Sequence, residues 1–116
     1  MKSTELRIGN IVKYNQEKYN VKCINIYSAN IEKDTNEYTV PFTELEGIEI
    51  TEDALFDLGF AKRYDVYNLH IGEINIEVSK SGMGNFWWVS LNDCADLKIK
   101  YIHQLQNIIS ALTEDI

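Results

Sequence analysis

Ile71-Gly72-Glu73-Ile74-Asn75-Ile76-Glu77-Val78, running on through Ser81-Gly82-Met83-Gly84-Asn85 into Phe86-Trp87-Trp88-Val89-Ser90-Leu91, is the stretch that decides the fold. Ile74, Ile76 and Val78 alternate with Asn75 and Glu77. That period of two belongs to strands and not to helices. Gly72-Glu73 sits where a hairpin must reverse, and the Gly-rich segment 81–85 supplies a second reversal, so an antiparallel meander is expected. Within the last strand, parity places Phe86 and Trp88 on one face and Trp87, Val89 and Leu91 on the other. Both sets are large and apolar, so the sheet is expected either to be covered on both faces or to leave one face as a contact surface.

Outward from this meander the period changes on both sides. Upstream, Thr51 can cap a short helix that carries Glu52 and Asp53 in its first turn, Leu55, Phe56 and Leu58 along one side, and Gly59 as its stop. Downstream, Tyr101, Leu105, Ile108, Ile109 and Leu112 recur at helical spacing and predict an amphipathic C-terminal helix. Glu114 and Asp115 sit at the unfavourable pole of its dipole, so its last turn is expected to fray.

The first half reads as strands. Leu6 to Tyr14 places apolar residues around Gly9-Asn10, Asn15 to Lys18 is a polar turn, and Tyr19, Val21 and Cys23 alternate with Asn20 and Lys22. Ile24 and Ile26 then take the opposite parity, as in a bent or bulged strand of a small barrel. Ile31 and Tyr38-Thr39-Val40 supply two shorter strands around Asp34-Thr35-Asn36, and Pro41, with no N–H, ends the pairing. The expected fold class is therefore α+β: an N-terminal SH3-like small β-barrel over 1–50, then over 51–116 a short helix, an antiparallel β-meander and the C-terminal amphipathic helix. The whole of 1–116 is expected to form a single compact domain, since no repeat or linker composition interrupts it.

Composition narrows the setting. The 116 residues are 45% hydrophobic and 25% charged, with no uncharged run long enough to span a bilayer. The start, Met1 to Arg7, has no apolar run or cleavage site, so no export signal is expected. Cys23 and Cys94 stand apart and match no ligand spacing, which fits a reduced, cytoplasmic protein. A formal net charge of −7 argues against broad binding to nucleic-acid phosphates or anionic membranes. The charge is uneven: residues 1–22 are net positive, whereas Glu32 to Asp57 is acidic with only Lys33 opposing.

Glu5-Leu6-Arg7-Ile8-Gly9-Asn10-Ile11-Val12 near the start and Ile99-Lys100-Tyr101-Ile102-His103-Gln104-Leu105-Gln106-Asn107 near the end resemble a family of small uncharacterised proteins. These occur in Bacteroides-type gut bacteria and in their phages and prophages. The segments Val40 to Ile48 and Leu58-Gly59-Phe60 are similar to the same family, so the resemblance spans most of the chain. His103-Gln104-Leu105-Gln106-Asn107 is its most specific part, and Glu114 departs from the Gly that such proteins often carry. The resemblance implies a bacterial or phage cytoplasmic setting and brings no activity with it. Leu6 to Ile50 also resembles a small SH3-type barrel, and its opening Gly9-Asn10-Ile11-Val12 is similar to that of nucleic-acid-associated barrels.

No constellation of reactive residues stands out. The thiols and imidazoles, Cys23, Cys94, His70 and His103, have no local support for nucleophilic or metal chemistry. Ser81 to Asn85 lacks the Lys and the following helix of a phosphate loop. Neither catalytic residues, metal nor cofactor are expected, and the acids Glu44, Glu46, Glu49, Glu52 and Asp53 read as a solvated face. His103, Asn107 and Ser110 share a polar stripe on the last helix and are expected to clamp it structurally onto a neighbouring segment.

The expected function is therefore that of a non-enzymatic protein-interaction module, its partner a protein or a second copy, with no membrane contact. Trp87 or Trp88, whichever is left uncovered, would be the anchor, and Glu44, Glu46 and Glu49 would steer a basic partner. The alternative is nucleic-acid binding by Lys13, Tyr14, Lys18, Tyr19 and Lys22 of the N-terminal half, through charge and stacking. A weaker third reading is an acidic decoy that mimics DNA.

Overall fold

The computed structural model describes residues 1, 3–92 and 96–113. Cys94 and the charged end Glu114-Asp115 lie outside the described residues. The fold is α+β, with two antiparallel sheets and a C-terminal helix. The chain forms two compact units: residues 1–49 together with 101–109, and residues 50–100 together with the helix end from Ser110.

The first unit is a four-stranded meander of β1 (Ile11–Tyr14), β2 (Glu17–Ile24), β3 (Ser28–Lys33) and β4 (Asn36–Pro41), in that order across the sheet. Asn15 and Gln16, both at positive φ (50° and 65°), make the two-residue turn whose twist suits a hairpin. The parity switch foreseen near Cys23 is a bulge: the register passes from Val21↔Ile31 to Cys23↔Asn30. Pro41 is the last paired residue of β4, opposite Ser28. Val12, Val21, Ala29, Ile31, Val40 and Leu45 are buried in its core.

The expected SH3-like barrel is not formed. β1 and β4 are the two edges of an open sheet, and β1 gains only an isolated bridge between Lys13 and Glu46. Closing a barrel needs more strand length at the start than the chain provides. Leu6 to Asn10, read as strand, instead turns: Gly9 takes φ 95°, and the Asn10 carboxamide oxygen accepts from the Arg7 N–H at 2.7 Å. An Asn that bonds its own neighbouring backbone offers the chain an alternative to the ladder, so pairing starts only at Ile11.

The second unit begins with α1 (Glu52–Asp57), capped as expected by the Thr51 hydroxyl, which accepts from the Ala54 N–H at 3.2 Å. Gly59 stops it at φ 99°. A five-stranded meander follows, in the order β5 (Ala61–Arg63), β6 (Val66–Ile71), β7 (Ile74–Lys80), β8 (Trp87–Leu91) and β9 (Asp96–Ile99). β5 and β9, the two edge strands, are too short to announce themselves: β5 is three exposed residues, and β9 alternates over only four, Asp96-Leu97-Lys98-Ile99. Tyr67, Ile76, Val78, Trp87, Val89 and Ile99 are buried on one face of this sheet.

The last helix, α2 (Ile102–Thr113), starts where predicted. The Gln104 carboxamide oxygen accepts from the Tyr101 N–H at 2.9 Å, as the third residue of a capping box does. The first turn of α2 is more buried than an amphipathic surface helix requires: Ile102, His103 and Leu105 are all inside.

Candidate functional site

Three features stand out as candidates, and each is built within one unit. The first is the polar stripe of α2. Asn107 acts at both ends of its carboxamide: its oxygen accepts from Asn10 Nδ2 at 2.9 Å, and its Nδ2 donates to the Glu5 carbonyl at 2.8 Å. Gln106 accepts from the Ile11 N–H at 2.9 Å. Together with the Asn10–Arg7 contact, these bonds fasten the irregular Glu5–Asn10 segment, whose backbone meets β2 through the Gly9 N–H on the Val21 carbonyl and the Val21 N–H on the Asn10 carbonyl, both at 2.8 Å. Asn10 is 3% exposed, so its amide must find partners inside the protein. Replacing Asn107 with Ala should leave Asn10 Nδ2 and the Glu5 carbonyl without these partners and cost about 2 kcal/mol in chemical denaturation. Ser110, whose hydroxyl makes none of these bonds, should tolerate Ala within about 0.5 kcal/mol. Gln106 was the member of this set that the i, i+4, i+7 stripe could not include.

His103 departs from the expectation of a polar helix face. It is 1% exposed, and neither ring nitrogen has a hydrogen-bond partner. Its ring stacks on Tyr101 at 5.7 Å between centroids, and Glu5 Oε2 lies 3.7 Å from Nε2, beyond hydrogen-bond length. Burial pushes its pKa below the ordinary histidine value, with the Glu5 carboxylate opposing and the N-terminal ammonium adding to the shift. A base whose folded pKa is depressed binds its proton more readily in the unfolded chain. Its contribution is therefore intact above the unfolded pKa, about 6.5, and is lost as the pH falls below it. The melting temperature of the wild type should fall between about pH 7 and pH 5 more steeply than that of His103→Phe. Equal slopes would remove His103 as the cause.

The second candidate is the lysine and tyrosine set of the first unit. Tyr14, Tyr19 and Tyr38 form a mutual aromatic triangle, with centroids 5.9–6.3 Å apart. Tyr19 is buried, and burial is the main reason its phenol pKa is raised, so it presents no stacking platform. Lys13 pairs with Glu46 at 3.4 Å, while Lys22 reaches both Glu32 and Glu37. Lys22 is held in its charged form chiefly by Glu32. Lys18 is exposed. Cations already matched by carboxylates have little counterion release to offer a phosphate backbone. The acids expected to steer a partner are similarly engaged: Glu46 by Lys13 and Glu49 in contacts of its own, while Glu44 is exposed.

The third candidate is the face of the five-stranded sheet opposite its buried side. Trp87 is 8% exposed and Trp88 is 39% exposed, so alternation places Trp88 on the open face. That face is not apolar, as the sequence had implied. The pairing register puts Arg63, Val66, Ser79, Trp88 and Lys98 side by side in one cross-strand row. The neighbouring row is Ala61, Asn68, Glu77, Ser90 and Asp96.

No family model, curated protein or solved structure matches the chain.

On the open face, Phe86 meets Trp88 edge-on at 5.2 Å, and Lys98 Nζ sits 4.2 Å over the Phe86 ring. Among the described residues, neither Arg63 nor Lys98 has a carboxylate within ion-pair distance. Lys62, on the opposite face by parity, is by contrast paired with Glu52 at 3.2 Å. Glu52 also accepts from the Tyr67 hydroxyl, which with Lys62 lowers its pKa. A shallow groove of about 570 Å³ crosses β5 to β7, lined by Arg63, Tyr64, Asn68, His70, Asn75 and Glu77. Asn75 Nδ2 donates to Glu77 at 3.2 Å, while its Oδ1 is buried with no donor. Arg63 and Lys98 were not singled out by sequence; alternation through the unforeseen edge strands is the signal that would have found them. Cys23 is exposed on β2, and among the described residues no three His, Cys, Asp or Glu side chains converge on one point.

Proposed function

We propose that this chain is a non-enzymatic protein-interaction module of phage or prophage origin, acting in the cytoplasm, whose contact surface is the open face of the five-stranded sheet. The observation that supports this reading is Trp88: a large aromatic, 39% exposed, flanked in its cross-strand row by Ser79 and Lys98. A tryptophan combines a large apolar area with an indole N–H donor, which is why it recurs at the energetic centre of interfaces. The core on the other side of the same strand is formed by Trp87 and Val89, not by Trp88.

The Arg63 and Lys98 cations, rather than the acids Glu44, Glu46 and Glu49, supply the unmatched charge available to a partner. The lysines of the first unit support the nucleic-acid alternative less, because Lys13 and Lys22 are already paired. The test is affinity capture from a lysate of a Bacteroides-type host, with wild type and Trp88→Ala compared at matched folding. Proteins held by the wild type should be missing from the Trp88→Ala sample. Identical captured sets would sink the proposal.

A further inference from the structure

We infer that the open face of the five-stranded sheet pairs with the same face of a second copy, about a two-fold axis running along its cross-strand rows. This rests on reading that face as a contact surface. Each strand gives two neighbouring rows one residue apiece, two positions apart: Arg63 and Ala61, Val66 and Asn68, Ser79 and Glu77, Trp88 and Ser90, Lys98 and Asp96, with His70 and Asn75 of β6 and β7 lying beyond them. The first members form a row with two cations and the second members a row with two carboxylates. The rows lie about 7 Å apart, two residues along a strand.

A two-fold axis between the rows lays each residue over its strand mate in the other copy, because isologous contacts exchange i with j. Lys98 then meets Asp96 of the second copy, and Asp96 meets its Lys98. Sizes match as well as charges: Trp88 lies over Ser90, Arg63 over Ala61, and Glu77 over Ser79. Aligned sheets pack about 10 Å apart, a gap that an extended lysine and an aspartate together span. The other face-to-face axis, parallel to the strands, lays Arg63 over Lys98 and Glu77 over Glu77. Like charges directly opposed are unfavourable, so the row-wise axis is selected.

The face measures about 24 Å across five strands and about 14–20 Å along them, a footprint of roughly 400 Å² per copy. Stable dimers bury about twice that, so the association is weak and reversible.

Sedimentation equilibrium of the full chain at low salt, from about 10 μM to about 1 mM, covers the range in which such an interface acts. The wild type should dimerise reversibly. Lys98→Glu and Asp96→Lys, both at exposed positions, should each weaken the dimer by about tenfold or more while keeping the wild-type circular dichroism. An equimolar mixture of the two variants should regain dimer, since every reversed charge then faces its opposite. A wild type monomeric throughout, or a mixture no more associated than its parts, overturns the inference. If self-pairing fails but Trp88→Ala still abolishes capture of a host protein, the face remains a contact surface for another partner. If wild type and Trp88→Ala capture alike, the contact-surface reading fails as well.

Discussion

Trp87→Ala is expected to lower the free energy of unfolding by about 3–5 kcal/mol, while Trp88→Ala beside it costs about 1 kcal/mol or less. The two residues are identical in type and adjacent in sequence, so their difference isolates burial. Trp87 is 8% exposed and packs its ring edge-on against Tyr67 at 5.9 Å, in a layer with Val78, Val89 and Ile99. Truncating it removes a large apolar surface and leaves a void that neighbours on a paired strand cannot collapse to fill. Trp88 loses its edge contact with Phe86 and packing at a site where 39% of the residue is already open to water, and it leaves no enclosed void. Differential scanning calorimetry reads the contrast: a drop of more than about 10 °C for the first variant and a few degrees for the second. Equal drops would mean that both faces of the sheet are core, and Trp88 would cease to be an anchor.

Gly47→Ala is expected to cost about 3 kcal/mol, although it adds a single methyl group. A Cβ at Gly47 would stand 2.5 Å from Tyr101 Cγ and 2.6 Å from Cδ1, far inside contact distance. Neither side yields easily. The Gly47 backbone is fixed by its neighbours: Glu46 bridges Lys13, and the Ile48 carbonyl accepts from the Ile102 N–H at 2.8 Å. The Tyr101 ring is stacked on His103, which is itself buried. Glycine is required here for close approach rather than for an unusual φ. Removing the ring should therefore relieve the clash. Gly47→Ala in a Tyr101→Ala background should cost about 1 kcal/mol or less, so urea denaturation of the four-variant cycle should show strong non-additivity. Additive costs would place the damage in the backbone instead.

The parts of the fold that were legible in the sequence are those in which a local rule and the tertiary structure agree. The Thr51 cap, the Gly59 stop, the Gly72-Glu73 reversal and the alternation of Ile74, Ile76 and Val78 each depend on residues a few positions apart. The bulge near Cys23 was legible for the same reason, because the parity change is written in consecutive side chains. β5 and β9 were not, since β5 is three exposed residues with no apolar period and β9 offers a single alternation, Leu97 and Ile99, too short to distinguish from a loop. The barrel was misread because Leu6 to Asn10 has strand-like composition, while the Asn10 side chain and Gly9 turn the backbone away.

The same division holds for the candidate site. Residue types and spacing by themselves determined that Trp87 and Trp88 oppose each other across a strand, that α2 carries a stripe of amides, and that reactive residues are sparse and scattered. Only the tertiary structure decided which tryptophan is buried, because alternation is symmetric and names two faces without saying which one the core occupies. It also decided that His103 is enclosed and unpartnered, while Asn107 reaches Asn10 across 97 positions of chain. Burial and long-range hydrogen bonds depend on what lies opposite a side chain. Periodicity along the chain records only the direction in which that side chain points.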